Sequence, residues 1–316
     1  MGDRMEFLKL NHSDLLVSRV CMGGCPMGRH GWGEVTEQEL IAAVHSALDA
    51  GVNFFDNADT YGLGASEITL GEALKGRRDK AVIATKFGVR AGNGKTYYDN
   101  SPQWITESCE NSLRRLGTDY IDLYQIHYLD GVTPMEQVVE TLKKLQSQGK
   151  IRYFGLSNVG QRELELLAPY RGEFVSCQNE FSLACRKHEK DMQALNRELG
   201  VTNLTWGSLG QGVLSGKYGP NAAFGGNDRR SREIYVNFHG EKLHKNLRIV
   251  EAMKPIAASH GKSLSAVAVR FILDHIPGSV ALCGAKRPAQ ILESASALGW
   301  HLTEEELDIL ERISRD

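Results

Sequence analysis

The sequence predicts a (β/α)8 barrel. Short β-rich apolar runs alternate with amphipathic helical patterns along the chain, the runs number eight, and 316 residues suit one such barrel. Strand–helix alternation implies parallel pairing with crossover helices. An open, doubly wound sheet would satisfy that rule too, but eight units and this length favour closure. No linker rich in Pro, Gly or Ser divides the chain, so residues 1–316 are read as a single domain.

The elements follow in order. Apolar positions 7–10 and 15–18 flank the turn residues Asn11, His12, Ser13 and Asp14, a small hairpin placed to plug the barrel bottom. The first barrel strand is Val20–Gly23. Helix 37–50 carries Leu40, Ile41, Val44 and Leu48 at helical spacing, and Gly51 stops it. Strand 52–56 leads to helix 67–74, strand 81–86 to helix 104–116, and strand 121–127 to helix 134–148. Ile151–Ser157 pairs with helix 162–167, and strand 174–178 with Glu189–Leu199. The seventh strand, Thr202–Trp206, opens into a long polar stretch, 215–237, before helices 242–260 and 264–274. Strand 279–283 and helix 288–297 complete the eighth unit. A further C-terminal helix, 304–313, lies outside the alternation.

Composition narrows the function classes. Hydrophobic residues at 41% and charged residues at 24% are ordinary globular usage, which excludes disordered, collagen-like and small disulfide-scaffold chains. Lys and Arg total 37 against 39 Asp and Glu, a net charge of −2, so no overall electrostatic footprint for nucleic acid is present. The N-terminal segment lacks the apolar core of a secretory signal, and no window reaches the length of a membrane helix. A cytoplasmic location with no membrane partner is the expectation. Cys21, Cys25, Cys109, Cys177, Cys185 and Cys283 form no Cys-x-x-Cys pair and read as small buried hydrophobes, so no metal is expected.

Active sites of such barrels lie at the carboxyl ends of the strands. Those ends carry Asp56, Lys86, His127, Ser157 with Asn158, Gln178 with Asn179, and Trp206. Read singly, Asp56 is a turn cap, Lys86 a solvated lysine and His127 a core histidine. Read together with Tyr61, five positions after Asp56, they make a proton-delivery unit. A phenol is a poor acid at neutral pH, but a neighbouring ammonium lowers its pKa. A carboxylate holds that ammonium in place, and a neutral imidazole offers one donor to a substrate oxygen. Carbonyl reduction needs this: an acid protonating oxygen while a hydride reaches carbon.

The segments FDNADTYGLGASE, ATKFG, DLYQIH, GLSN, QNEFS, GSLGQGVLSGKY and CGAKRPAQILES occur in this order, and through them the chain resembles the aldo-keto reductases over essentially its whole length, most closely their bacterial NADP-dependent branches. The resemblance implies a catalytic tetrad of Asp56, Tyr61, Lys86 and His127, with Trp32, Tyr61, His127 and Tyr128 facing a small-molecule carbonyl substrate. It further implies nicotinamide binding by Gly23, Gly24, Asp56, Ser157, Asn158, Gln178 and Trp206, with Trp206 stacked on the ring. Along the GSLGQG loop and beyond, it implies cofactor contacts at Gly207, Ser208, Leu209, Gln211, Gly212 and Lys217. At the last unit it implies Gly284, Ala285, Lys286, Gln290, Glu293 and Ser294.

The segment GAKRPAQILES adds a physical argument. Pro288 suits the first position of a helix, which places Lys286 and Arg287 just before a helix start. Cations there oppose the helix dipole unless an anion occupies the site or the charges are simply solvated. The family places an adenosine 2′-phosphate here, so NADPH is favoured over NADH. Gln290 and Ser294 stand where relatives carry Arg and Asn, which leaves NADH use open.

Other departures bear on the substrate. Leu129 replaces a Pro, Phe181 a Tyr, and Gly24–Cys25 a Thr–Trp pair, with Trp32 able to restore the lost bulk. Loops 25–34, 88–101 and 215–237 are expected to form pocket and lid. Trp32, Tyr97, Tyr98 and Tyr128 there suit sugars or aromatic aldehydes. A second reading keeps the same fold and cofactor but makes the chain a regulatory subunit of the kind that accompanies potassium channels.

Overall fold

A computed structural model describes residues 5–92, 95–226 and 228–315. Strands β1 (Val20–Gly23), β2 (Phe54–Asp56), β3 (Val82–Phe87), β4 (Ile121–Ile126), β5 (Ile151–Ser157), β6 (Phe174–Glu180), β7 (Thr202–Trp206) and β8 (Val280–Gly284) form a closed barrel. Each pairs in parallel with its neighbours in chain order, and β8 returns to β1 through Ala281–Val20 and Gly284–Gly23. The helices are α1 (Glu37–Asp49), α2 (Ala65–Ala73), α3 (Pro102–Leu116), α4 (Met135–Ser147), α5 (Leu164–Leu167), α6 (Glu189–Leu199), α7 (Gly240–His260), α8 (Leu264–His275), α9 (Pro288–Ala295) and α10 (Glu304–Arg315). Their ends carry the expected chemistry. Thr36 and Glu39 make a reciprocal cap at the start of α1, while Ser101 caps α3 ahead of Pro102.

Two cores result. Between barrel and helices lies the larger one, including Val44, Leu70, Phe87, Leu142 and Ile272. Inside the barrel, Cys21, Phe54, Leu123, Val175, Leu204 and Leu282 meet Leu10 and Leu15. The latter two come from the antiparallel hairpin Phe7–Lys9 and Leu16–Ser18. The Asn11 amide donates to Thr202 Oγ1, at the first residue of β7, so the hairpin closes the amino end of the barrel. Burying each leucine there contributes about 1.5–3 kcal/mol. With that end sealed, the carboxyl end is the one left open for a ligand.

Several expectations are corrected. Loop 88–101 contains a second hairpin, Val89–Gly92 against Lys95–Tyr98. The predicted helix 162–167 is regular only over Leu164–Leu167. Stretch 215–237 includes short 3-10 turns at Arg229–Ser231 and Val236–Phe238. Cys25 and Cys185 are only partly buried, whereas the other four cysteines are buried; all six are free thiols.

Ligating groups also cluster where sequence spacing hides them: Glu189, His275 and Glu311 meet between α6, α8 and α10. Both Glu189 oxygens are engaged there by protein donors, Arg186 at 2.8 Å on Oε2 and Arg315 at 3.1 Å on Oε1. With two guanidiniums on its central carboxylate, this cluster works as a clamp fastening α10 to α6 and α8. No helix among the described residues is long and apolar enough to cross a membrane.

Candidate active site

The carboxyl ends of the strands surround a cavity of about 600 Å³. Asp56 ends β2 and Lys86 lies one residue before the end of β3, both buried. Lys86 Nζ reaches Asp56 Oδ1 at 2.5 Å and the Asn57 carbonyl at 2.9 Å. The other Asp56 oxygen accepts from the amides of Gln125 and Gln178, each at 2.9 Å. The carboxylate therefore has donors on both oxygens, which a buried ion pair requires.

Tyr61 lies on the β2–α2 loop with its ring over this pair, Lys86 Nζ standing 5.3 Å from the ring centroid. The His127 ring, just past β4, meets it edge to face with centroids 6.1 Å apart. Two glycines fix the loop. Gly62 has φ +61°, and a Cβ on it would fall 2.3 Å from the Gly28 carbonyl oxygen, so the segment after β1 closes directly on the residue following Tyr61.

Burial sets the protonation states. His127 is pushed down to about 3 by burial and by the Lys86 charge, so its imidazole is neutral, as expected. Its Nδ1 is buried with no protein partner. The Tyr61 phenol departs from expectation. Burial, then Cys25 and Asp56, push it well above its ordinary range. Asp56, at 2.5 Å from the ammonium, offsets part of its charge at the ring, and desolvation prevails. Tyr61 is a neutral phenol that keeps its proton.

Behind the loop, Asp59 is raised to about 7 by burial and by Glu67; it accepts from Ser108 at 3.0 Å on one oxygen, and the other is buried without a partner. Unfolded Asp titrates at about 3.9. The native state therefore binds the extra proton between these values, and the associated stability is lost as pH rises through about 7. Asp59→Asn should raise the melting temperature at about pH 8 and change it little at about pH 4. Calorimetry giving equal shifts at both would mean the carboxyl does not titrate as a buried acid.

Most expected contact residues line the cavity. They include Gly23, Gly24, Trp32, Tyr128, Ser157, Asn158, Gln178, Trp206, Lys217, Gly284, Lys286, Gln290 and Glu293, together with Gly207, Ser208, Leu209, Gln211 and Gly212. Ala285 and Ser294 are buried behind the wall instead, the Ser294 hydroxyl donating to the Gln290 carbonyl. Several polar groups already have protein partners. The Ser157 hydroxyl donates to the Gln178 carbonyl, and the Asn158 amide nitrogen to the His127 carbonyl. Asn158 Oδ1 accepts from Trp206 Nε1 at 3.2 Å, which steadies the indole at the cavity wall. Gly207, Gly210, Gln211 and Gly212 all adopt positive φ, curling the backbone around the mouth.

At the start of α9, Gln290 Oε1 accepts from the amides of Lys286 and Arg287, which satisfies the helix end directly. Lys286 Nζ donates to the Trp32 carbonyl, and Arg287 pairs with Glu39 at 2.8 Å. The two cations thus have protein partners and are not merely solvated. Lys286 is lowered by burial and then by Arg230, Arg287 and Lys217, so four cations converge at this end.

The sequence reading missed Gln125, whose signal was a polar residue inside the apolar run IDLYQI. Stretch 215–237, expected to form pocket and lid, does line the cavity through Arg229, Arg230 and Tyr235, none of which was singled out, and Ser265 of α8 was not anticipated. Trp32 stacks edge to face on Tyr235, centroids 6.0 Å apart, and its backbone bridges Asp228.

Residues 19–315 match the Aldo/keto reductase family. The chain is 33% identical over 308 residues to the aldo-keto reductase YhdN of Bacillus subtilis, covering 96% of this chain and 91% of that one. Its fold is similar to the glycerol dehydrogenase AKR11B4 of Gluconobacter oxydans, with a TM-score of 0.86, 34% identity, and 97% and 94% of the two chains covered. An aldo-keto reductase from Klebsiella pneumoniae, solved in complex with NADPH, gives a TM-score of 0.76 at 25% identity, with 98% and 95% covered.

Proposed function

The chain belongs to the aldo/keto reductase family, and from that premise we propose that it reduces an aldehyde or ketone to an alcohol with NADPH, Tyr61 delivering the proton. The observation that carries the reading is the neutral Tyr61 phenol seated over the buried Asp56–Lys86 pair, beside a neutral His127, at the floor of one cavity.

The cavity suits the cofactor. Trp206 offers a flat, anchored face for a nicotinamide, and the curled 207–212 backbone would hold a pyrophosphate. Lys217, Arg230, Lys286 and Arg287 supply positive charge for a further phosphate. NADPH, once bound, supplies the hydride for the carbonyl carbon.

The rest falls to the chain's own residues. A neutral His127 imidazole, one ring nitrogen carrying hydrogen, holds the carbonyl oxygen as a donor without protonating it. The Tyr61 hydroxyl then donates its proton to that oxygen as negative charge develops there. A phenol raised by burial suits this sequence of events. It does not ionise beforehand, and the developing alkoxide is a strong enough base to take the proton. Lys86, locked by Asp56, sits under the ring where it stabilises the phenolate left behind.

The direct test is NADPH oxidation over a panel of aldehydes, ketones and keto-sugars. In that assay Lys286→Glu should raise the KM for NADPH roughly tenfold to a hundredfold, the equivalent of one charge-assisted contact of about 1.5–3 kcal/mol. The KM for NADH should move far less. Equal losses for both would remove Lys286 from the 2′-phosphate site.

A further inference from the structure

Arg229 is a cation at the cavity without an acidic partner. It lines the cavity, yet among the described residues no carboxylate pairs with its guanidinium, and its Nε is buried with no partner. Three acids of this region are engaged elsewhere. Asp228 is held by Arg230, Asp56 by Lys86 and Glu39 by Arg287.

The position of Arg229 is built. Its amide donates to the Gly31 carbonyl at 2.9 Å, and its side chain lies flat on Gly31. A Cβ at position 31 would stand 2.2 Å from Arg229 Cγ, and φ there is +75°, so only glycine admits the arginine in this pose.

The neighbouring segment fixes its place as well, because Trp32 bridges Asp228, the residue before Arg229. The cations that press on Lys286 are Arg230, Arg287 and Lys217. Arg229 bears on Cys25, which lines the cavity with Tyr61. Aromatic surface flanks this region: Trp32 on Tyr235, and Tyr128 stacked between His127 and Tyr98.

We propose that Arg229 selects carbonyl substrates bearing an anionic group, a carboxylate or a phosphate, set across the cavity from the carbonyl that Tyr61 and His127 hold; this rests on the carbonyl-reductase reading. A guanidinium left without a carboxylate in a partly desolvated cavity is completed by a substrate anion, and its planar fork matches either oxyanion in bidentate fashion.

The experiment compares matched pairs: 4-carboxybenzaldehyde with benzaldehyde, and glyceraldehyde 3-phosphate with glyceraldehyde. For the wild type, the ratio of kcat/KM within a pair should favour the charged member. Arg229→Gln should lower that ratio by about tenfold or more, while Arg229→Lys keeps part of it. The pair that shows the effect tells carboxylate from phosphate. A second readout is benzoate binding to the NADP complex by calorimetry, weakened about tenfold in Arg229→Gln, alongside an unchanged dissociation constant for NADPH.

An unchanged ratio in both pairs, or a loss of NADPH affinity matching the loss of the charged substrates, overturns the assignment. If no carbonyl is reduced but Arg229→Gln still abolishes benzoate binding, the anion site stands and the reductase reading fails. If carbonyls are reduced without any charge preference, the reverse holds.

Discussion

Tyr61→Phe should lower kcat for carbonyl reduction by roughly 10²–10⁴-fold, the range general acid catalysis supplies, with the dissociation constant for NADPH unchanged. Phe keeps the ring that meets His127 and covers Lys86, so the loop and its packing survive. Only the hydroxyl is lost. The measurement must isolate chemistry, because slow cofactor release hides a chemical defect. Single-turnover kinetics with deuterated NADPH do so. A near-normal rate that shows a full isotope effect would remove Tyr61 as the acid. Because burial keeps the phenol protonated, the wild-type rate should show no ionisation of Tyr61 on the alkaline side of neutrality.

Breaking the Asp56–Lys86 pair should be the most costly single change to stability. Lys86→Met leaves a carboxylate buried with only two neutral amide donors, from Gln125 and Gln178. Removing one partner of a buried pair typically costs about 3–5 kcal/mol, because the charge left behind is uncompensated. Denaturant unfolding measures it. The double variant Lys86→Met/Asp56→Asn should recover most of that loss, since a neutral amide oxygen still accepts from one of the glutamines. It should not recover activity, since nothing then stabilises the phenolate of Tyr61. A double variant as unstable as Lys86→Met would mean the cost lies in packing and not in charge.

The two substitutions divide the site along the line that separates what the sequence displays from what it hides. Asp56, Lys86 and His127 were found because a parallel barrel puts its chemistry at the strand ends, and each is a polar residue closing an apolar run. Tyr61 followed from its distance to Asp56. Gln125 escaped because a polar residue within a strand reads as an irregularity until Asp56 is seen opposite it, at the end of an element 69 residues away. Gln178, expected as a cofactor contact, lines the cavity, and its amide nitrogen has a further task the sequence hides, holding Asp56. The cations of segment 228–230 gave no periodic signal, lying in a polar stretch whose course depends on Gly31 and Trp32 far upstream.

By itself the sequence determined the barrel, its plugging hairpin and the four residues at its mouth, because hydrophobic periodicity and chain order are local properties that survive without coordinates. The tertiary structure alone decided the electrostatics: that Lys86 is paired with Asp56, that Tyr61 keeps its proton, that Arg287 is paired and, among the described residues, Arg229 has no carboxylate partner. A pKa or an ion pair depends on burial and on which charges lie within a few ångströms. Those distances are set by packing between segments that sequence separation leaves unrelated.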